Sequence, residues 1–486
     1  MAHSCFRQRR VSLISQGFQK GISTSVAVRC AGREIQVRRP RVGSDRITST
    51  RPTHLNIAHS YQESGIRFCE PHAAQLHIYH TIRGLQRTGH EVTLLALQGR
   101  QVLCTKDLQV FNSNKLLASQ YGQLGFSGTA LFKRFESGVR RLQSKLHLPY
   151  LALFDSYRMA EAGIINLKGF DLIHERFNLL ALGGAWASRK LGIPFVLEVN
   201  ADLLEQRKFK GIPERGLRRL FAVWATRMCF NAAAKIICIS VGLKDHLSRT
   251  WNIEDSKLIV LPCAADVEAF GLNLNSNHIR RSLGLTTEPV VIWVGGFYPW
   301  HDLDLLLNSF TLVLQRHPDA KLILVGDGQT RQSIAQKVQE NGLQQSVIMT
   351  GTIAHADVPE MLSIADIAVV PSAPVVASRG GTGTPLKLFE YMAAGKAIVA
   401  TAQNEAAEVI QDGHNGLLVE AGNVNRFAEA VLRLLNDPVE RDRLGQNARQ
   451  QAIQLYSWEQ YTRRLEEIYL NVLGNAPSAS PATEIS

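Results

Sequence analysis

From residue 53 to near the end of the chain, short apolar runs alternate with longer amphipathic stretches, and no other feature restricts the fold as much. Runs such as "PVVIWVG" (289–295) and "DIAVVP" (366–371) are apolar on both faces, which suits strands covered on both sides of a sheet. A helix-length segment between consecutive strands demands a crossover, and crossovers make neighbouring strands parallel. The first half predicts strands at "THLNIAH" (53–59), "EVTLLAL" (91–97), "DLIHER" (171–176), "PFVLEVN" (194–200), "AKIICIS" (234–240) and "KLIVLP" (257–262). Helical patterns lie over His72–Arg87 and Arg215–Asn231, and residues 100–150 read as an insertion with some helix. After the polar stretch "GLNLNSNHIRRSLGLTTE" (271–288) the scheme restarts, adding strands at "KLILVGDG" (321–328), "SVIMTG" (346–351) and "KAIVAT" (396–401). The expected fold is α/β: two Rossmann-like, doubly wound domains, 53–270 and 271–456, facing each other across a cleft. A last helix, within 457–474, is expected to pack back towards the first domain. Residues 475–486 have the composition of a disordered tail.

The net charge of +12 suggests a nucleic-acid partner until it is located. Residues 1–52 hold ten Arg and one Lys against Glu34 and Asp45, a local +9, which leaves only +3 for the rest. The folded part therefore carries no nucleic-acid signal, and no nucleic-acid-reading motif is present. The basic segment 1–52 lacks the apolar core of a secretory signal. It reads as a disordered extension, with an organelle transit peptide as the alternative. No stretch of about 18 apolar residues predicts a transmembrane helix. Seven cysteines without a C-x-x-C pair favour reduced thiols and a cytoplasmic setting over disulfides or zinc.

The stretch "SRGGTGTPLKLFEYMAAGKAIVAT" (378–401) has the look of a phosphate cradle. It is not a nucleotide-hydrolysing P-loop, because Lys387 follows Leu386 instead of the last glycine. It is not a dinucleotide fingerprint either, because the third glycine position is Leu386. Taken in order, "VGDG", "GT", "ADIAVVPS" and "PLKLFEYMAAGKAIVAT" resemble the C-terminal half of a GT-B glycosyltransferase. The resemblance is greatest to family 4, the retaining group that uses nucleotide-activated sugars, and it covers about residues 53–474.

The resemblance implies an acceptor-binding first domain, a donor-binding second domain, a nucleoside-diphosphate sugar as co-substrate, and neither cofactor nor metal. On the donor side it implies that Glu390 holds the ribose hydroxyls. It places the diphosphate on the amides of Leu386 and Lys387, at the start of the helix that Pro385 opens. The Lys387 side chain either adds charge there or is a solvated surface lysine. Gly326 and Gly328 match a turn near the donor, and Ile353 matches the position that touches the base. The chain departs from the family twice. The first acid of the Glu-x7-Glu pair is Thr382, and the amides around Gly383 are its expected replacement. The usual Arg and Lys that grip the diphosphate are replaced in "VGGFYPWHDLDLLLNSF" (294–310) by Gly296 or Phe297 and by His301. His301 is expected either to serve the phosphate as an imidazolium or to cap the following helix.

On the acceptor side Gly65 matches the close-approach glycine. In "DLIHERFN" Arg176 stands where the family has a histidine near the reacting sugar, with His174 on the same strand face. These two are the catalytic candidates, and Asn200 and Glu198 fill further acceptor positions. The basic helix 211–231 offers a peripheral membrane contact, with an ordinary surface helix as the alternative. Two rivals to sugar transfer remain: a nucleotide-sugar epimerase of the same architecture, and a non-catalytic sugar-nucleotide-binding protein.

Overall fold

Strand order fixes where a ligand can sit. The first sheet contains β1 (Asn56–Tyr61), β2 (Glu91–Gln98), β3 (Gln101–Thr105), β4 (Leu172–Arg176), β5 (Phe195–Val199), β6 (Lys235–Cys238) and β7 (Leu258–Val260). The second contains β8 (Val290–Val294), β9 (Lys321–Val325), β10 (Val347–Gly351), β11 (Ile367–Val370), β12 (Ala397–Thr401) and β13 (Leu417–Val419). Their spatial orders are β3-β2-β1-β4-β5-β6-β7 and β10-β9-β8-β11-β12-β13, the doubly wound arrangement twice over. The computed structural model describes residues 54–63, 73–111, 116–271, 274, 277–374 and 386–474.

Two strands escape the sequence pattern. β3 returns antiparallel to β2 through a tight turn whose Gly99 has φ of 60°, so the start of the expected insertion is a hairpin. β13 is only three residues long, too short to show a period. Both sit at sheet edges.

The C-terminal helix Trp458–Val472 returns to the first sheet. It buries Tyr461, Leu465, Ile468 and Tyr469 in the same core as Leu55, Ile57, Ile78 and Ile82. Just before it, the Ala265 amide donates to the Tyr456 carbonyl at 2.9 Å, tying the segment between the two sheets to the returning chain. That packing brings two tyrosine hydroxyls under the first sheet's polar residues.

Candidate functional site

In doubly wound sheets, ligands bind beyond the carboxyl ends of the strands, near the point where the strand order reverses. Here the carboxyl ends of β4, β5, β8, β9 and β10 open into one cleft of about 490 Å³, walled by both sheets. The second-sheet wall is laced by its own backbone. Gly295 N donates to Val325 O, Phe297 N to Asp327 O, and Gly326 N to Gly351 O, at 2.8–2.9 Å. Gly326 has φ of 128°, and a Cβ there would overlap the Gly295 carbonyl. Only glycine lets the two loops approach so closely.

The helix Leu386–Ala393 points its amino end into this cleft, presenting amides that no preceding turn can satisfy. Lys387 is 7% exposed, so it is neither solvated nor on the surface. Its Nζ has no hydrogen-bond partner among the described residues and stands 4.3 Å from the Trp293 ring centroid. Burial, partly opposed by Glu390, brings its pKa from 10.5 down to about 7. A side chain at Gly295 would meet this ammonium within 2.5 Å, so that glycine makes room for the lysine. The Tyr391 hydroxyl accepts from Val294 N at 2.7 Å, fixing the end of β8 against the same helix.

Three residues beyond Lys387, and so on the same helix face, the Glu390 carboxylate accepts from His355 Nε2 at 2.7 Å. Burial would lower the His355 pKa, but the hydrogen bond and charge of Glu390 outweigh it and raise the pKa. The expectation that His301 supplies a cation is corrected. His301 does lie on the cleft wall, edge-on to Trp293 at 5.5 Å. Burial and the neighbouring Lys387 hold its pKa well below the usual histidine range, so at neutral pH the ring is uncharged. It does not cap the following helix either: that is Asp302, whose carboxylate accepts from Leu305 N at 3.1 Å.

On the first-sheet wall, register gathers charge around Glu198. Strand pairing sets Arg176 opposite Glu198 and His174 next to His59. Arg176 Nη1 and Asn200 Nδ2 donate to Glu198 Oε1 at 2.8 and 2.7 Å, while His174 Nε2 lies 3.5 Å from Oε2. The returning helix brings the Tyr469 hydroxyl within 2.6 Å of His174 Nδ1. Burial would push the Glu198 pKa up, but His77, His174 and Arg176 outweigh it and hold it well below the usual range. His174 is fully buried behind this carboxylate and does not line the cleft, whereas Arg176 does. Glu198 is likewise a buried hub that holds Arg176 and Asn200 at the wall.

The cleft thus gathers Leu386, Lys387, Glu390, Gly296, His301, Gly326 and Ile353 from the second sheet and Arg176 and Asn200 from the first. Gly328 packs against the Phe297 backbone instead of lining the cleft. Gly65, Thr382 and Gly383 lie outside the described residues. Sequence reasoning missed His77 and His355, single histidines in helical or turn segments with no motif around them. His77 is buried on the cleft wall with Nδ1 3.5 Å from Glu198 Oε1, neither ring nitrogen has a hydrogen-bond partner among the described residues, and burial takes its pKa down to about 4. Among the described residues, no group of three or more His, Cys, Asp or Glu is arranged to hold a metal ion.

The family model for glycosyl transferases group 1 matches residues 275–451, and that for glycosyltransferase family 4 matches residues 74–269. Alpha-D-kanosaminyltransferase of Streptomyces kanamyceticus is 25% identical over 287 residues, covering 59% of this chain and 72% of that protein. An Escherichia coli UDP-Gal:alpha-D-GlcNAc-diphosphoundecaprenol alpha-1,3-galactosyltransferase is 20% identical over 64% of this chain and 78% of its own length. In fold, the chain is similar to Anabaena HepE, solved in complex with UDP. The TM-score is 0.60 at 19% identity, over 86% of this chain and all of that one.

Proposed function

The chain belongs to the family 4 glycosyltransferases of GT-B fold, and we propose that it moves a hexosyl group from a nucleoside-diphosphate sugar to an acceptor. In this reading transfer proceeds with retention and without a metal ion. The observation that carries it is Lys387, a buried amine with no hydrogen-bond partner among the described residues, at the amino end of a helix inside the cleft. An uncompensated charge out of water is costly, and an incoming diphosphate supplies the missing anion. Helix amides add the second half of the cradle. Glu390 lies about 4.5 Å further along the helix axis. That is a spacing at which a diphosphate on Lys387 leaves the ribose hydroxyls within reach of the carboxylate. HepE, solved with UDP and with UDP-glucose, supports the donor class.

Arg176 and Asn200 from the first sheet, and His77 from the helix Ala73–Arg87, face this donor site and receive sugar and acceptor. In transfer, the acceptor oxygen bonds to the anomeric carbon as the bond from that carbon to the phosphate oxygen breaks. The electron pair stays on the departing diphosphate, which also takes the acceptor's proton. Lys387 and the helix amides meet the charge that grows on that oxygen. The family match favours transfer over the epimerase and the purely binding alternatives.

Replacing Glu390 by alanine is expected to weaken donor binding by about 1.5–3 kcal/mol, the range for hydrogen bonds to a charged group. His355→Gln is expected to do the same more mildly, since it frees the carboxylate without removing it. Titration calorimetry with UDP- and GDP-sugars checks both, and unchanged affinity in Glu390→Ala removes the ribose assignment. The reaction itself is tested by nucleoside diphosphate release: the account requires that it rise when acceptor is added.

A further inference from the structure

The helix Ala130–Lys145 is built inside out. Thr129 caps it, accepting from Phe132 N. Its one acid, Glu136, points inward to Arg158 and Arg140, each at 2.7 Å, and Arg158 is itself fully buried and bonded to Asp155. An ordinary surface helix packs its apolar stripe and leaves charge in water. Here the anchor is the ion pair and one buried ring, Phe132 against Phe154 and Tyr157, while the larger apolar stripe faces out. Leu131, Phe135, Leu142 and Leu146 are 69%, 61%, 56% and 57% exposed. Their spacing at i, i+4, i+11 and i+15 puts them on one face. Arg134, Arg141 and Lys145, all exposed, form a parallel stripe along one flank of it, and no acid interrupts either stripe.

We propose that this helix docks the enzyme on an anionic lipid bilayer, with the Leu/Phe stripe at the acyl boundary and the Arg/Lys stripe against the headgroups. Charge selects this occupant. An apolar face bordered by three cations and no acid complements anionic headgroups, whereas a second copy would set like charges together. The basic segment 1–52 carries +9 and is repelled for the same reason. No described helix is long and apolar enough to cross a membrane, so the contact lies in the interface plane. The helix Gly216–Ala232 also exposes Leu217, Leu220 and Trp224. There Arg218 is engaged by Glu214 at 3.0 Å, while Arg219 and Arg227 are exposed, so this helix is the control for the assignment.

The test is sedimentation of the full chain with phosphatidylcholine vesicles, with and without about 30% phosphatidylglycerol. The wild type is expected to bind the anionic vesicles at least ~10-fold more tightly than the neutral ones, and less tightly in high salt. The double variant Phe135→Ser/Leu142→Ser is expected to lose ~10-fold or more of that binding. Arg141→Glu/Lys145→Glu should remove the preference for anionic lipid, while Trp224→Ser leaves binding as it was. Both changed pairs are exposed, so the melting transition and nucleotide-sugar binding should not move. That keeps this inference separate from the donor assignment. Wild-type protein that ignores anionic vesicles overturns the proposal, as does a Phe135→Ser/Leu142→Ser variant that binds like wild type. So does a wild-type dimer that this variant converts to monomer while vesicle binding is unchanged.

Discussion

Lys387→Met is expected to raise the melting temperature and, in the same molecule, to abolish tight binding of the nucleotide sugar. Burial has taken this lysine from a pKa of 10.5 to about 7. The folded state therefore holds fewer protons than the unfolded state between those two values. The resulting cost to stability is fully present below about pH 7 and fades as pH rises from there towards 10.5. At about 1.4 kcal/mol per unit, replacing this lysine by an apolar side chain of similar length should stabilise the free protein by about 3–4 kcal/mol near pH 7–8. Denaturation curves at pH 7.5 and pH 10 check the sign, since the variant's advantage should shrink at the higher pH. A residue that destabilises the empty protein yet is required for binding is placed for its ligand. A less stable variant, or one that binds the donor normally, contradicts the assignment.

The second large effect is expected at Glu198. Removing one partner from a buried ionic cluster leaves the others uncompensated, at about 3–5 kcal/mol. Glu198→Gln should therefore lower stability by that order and loosen Arg176 and Asn200, which Glu198 holds at the cleft wall. Two buried histidines give the same region a pH signature. Burial lowers the pKa of His59 and of His77, so the unfolded chain takes up protons below about pH 6.5 that the folded chain refuses. Their contribution to stability should be complete above that pH and decline from about 6.5 towards 4, while Glu175, whose pKa burial raises to about 7, contributes with the opposite sign. Urea titrations of the wild type and His77→Phe at pH 7.5 and 5.5 would show it: the wild type should lose stability relative to the variant at pH 5.5, and an unchanged difference would contradict a buried neutral His77.

What the sequence made legible follows from which features are local. Strands such as β8 and β11 are buried on both faces, so their Val and Ile runs announce them. β3 and β13 are short edge strands whose pairing depends on neighbours, and no local period marks them. The helix Ala130–Lys145 was blurred because its inner face holds only Phe132 and an ion pair to Arg158, 22 residues beyond Glu136, while most of its apolar residues face outward. At the site, Glu390 and the helix amides belong to one continuous motif and were visible in it. The partner of Glu390 was not, because His355 arrives from the turn after β10. Nor was the Glu198 cluster, which needs the β4–β5 register and a tyrosine from the last helix. The charges of Lys387 and His301 depend on burial, which composition does not reveal. The sequence pattern therefore left both as candidates without a way to choose between them.

The central claim is that the donor's diphosphate lands on Lys387, and proton linkage tests it directly. Nucleotide sugars such as UDP-glucose and GDP-mannose carry a diphosphate that does not itself titrate near neutral pH. Calorimetric titration at pH 8, in two buffers of different ionisation enthalpy, counts the protons taken up on binding. Lys387 is mostly neutral in the free protein at pH 8, since its pKa is about 7, and an adjacent diphosphate favours the ammonium. The account predicts uptake of about one proton per donor bound, and affinity that falls as pH rises further. Donor binding with no proton uptake at pH 8 would contradict it.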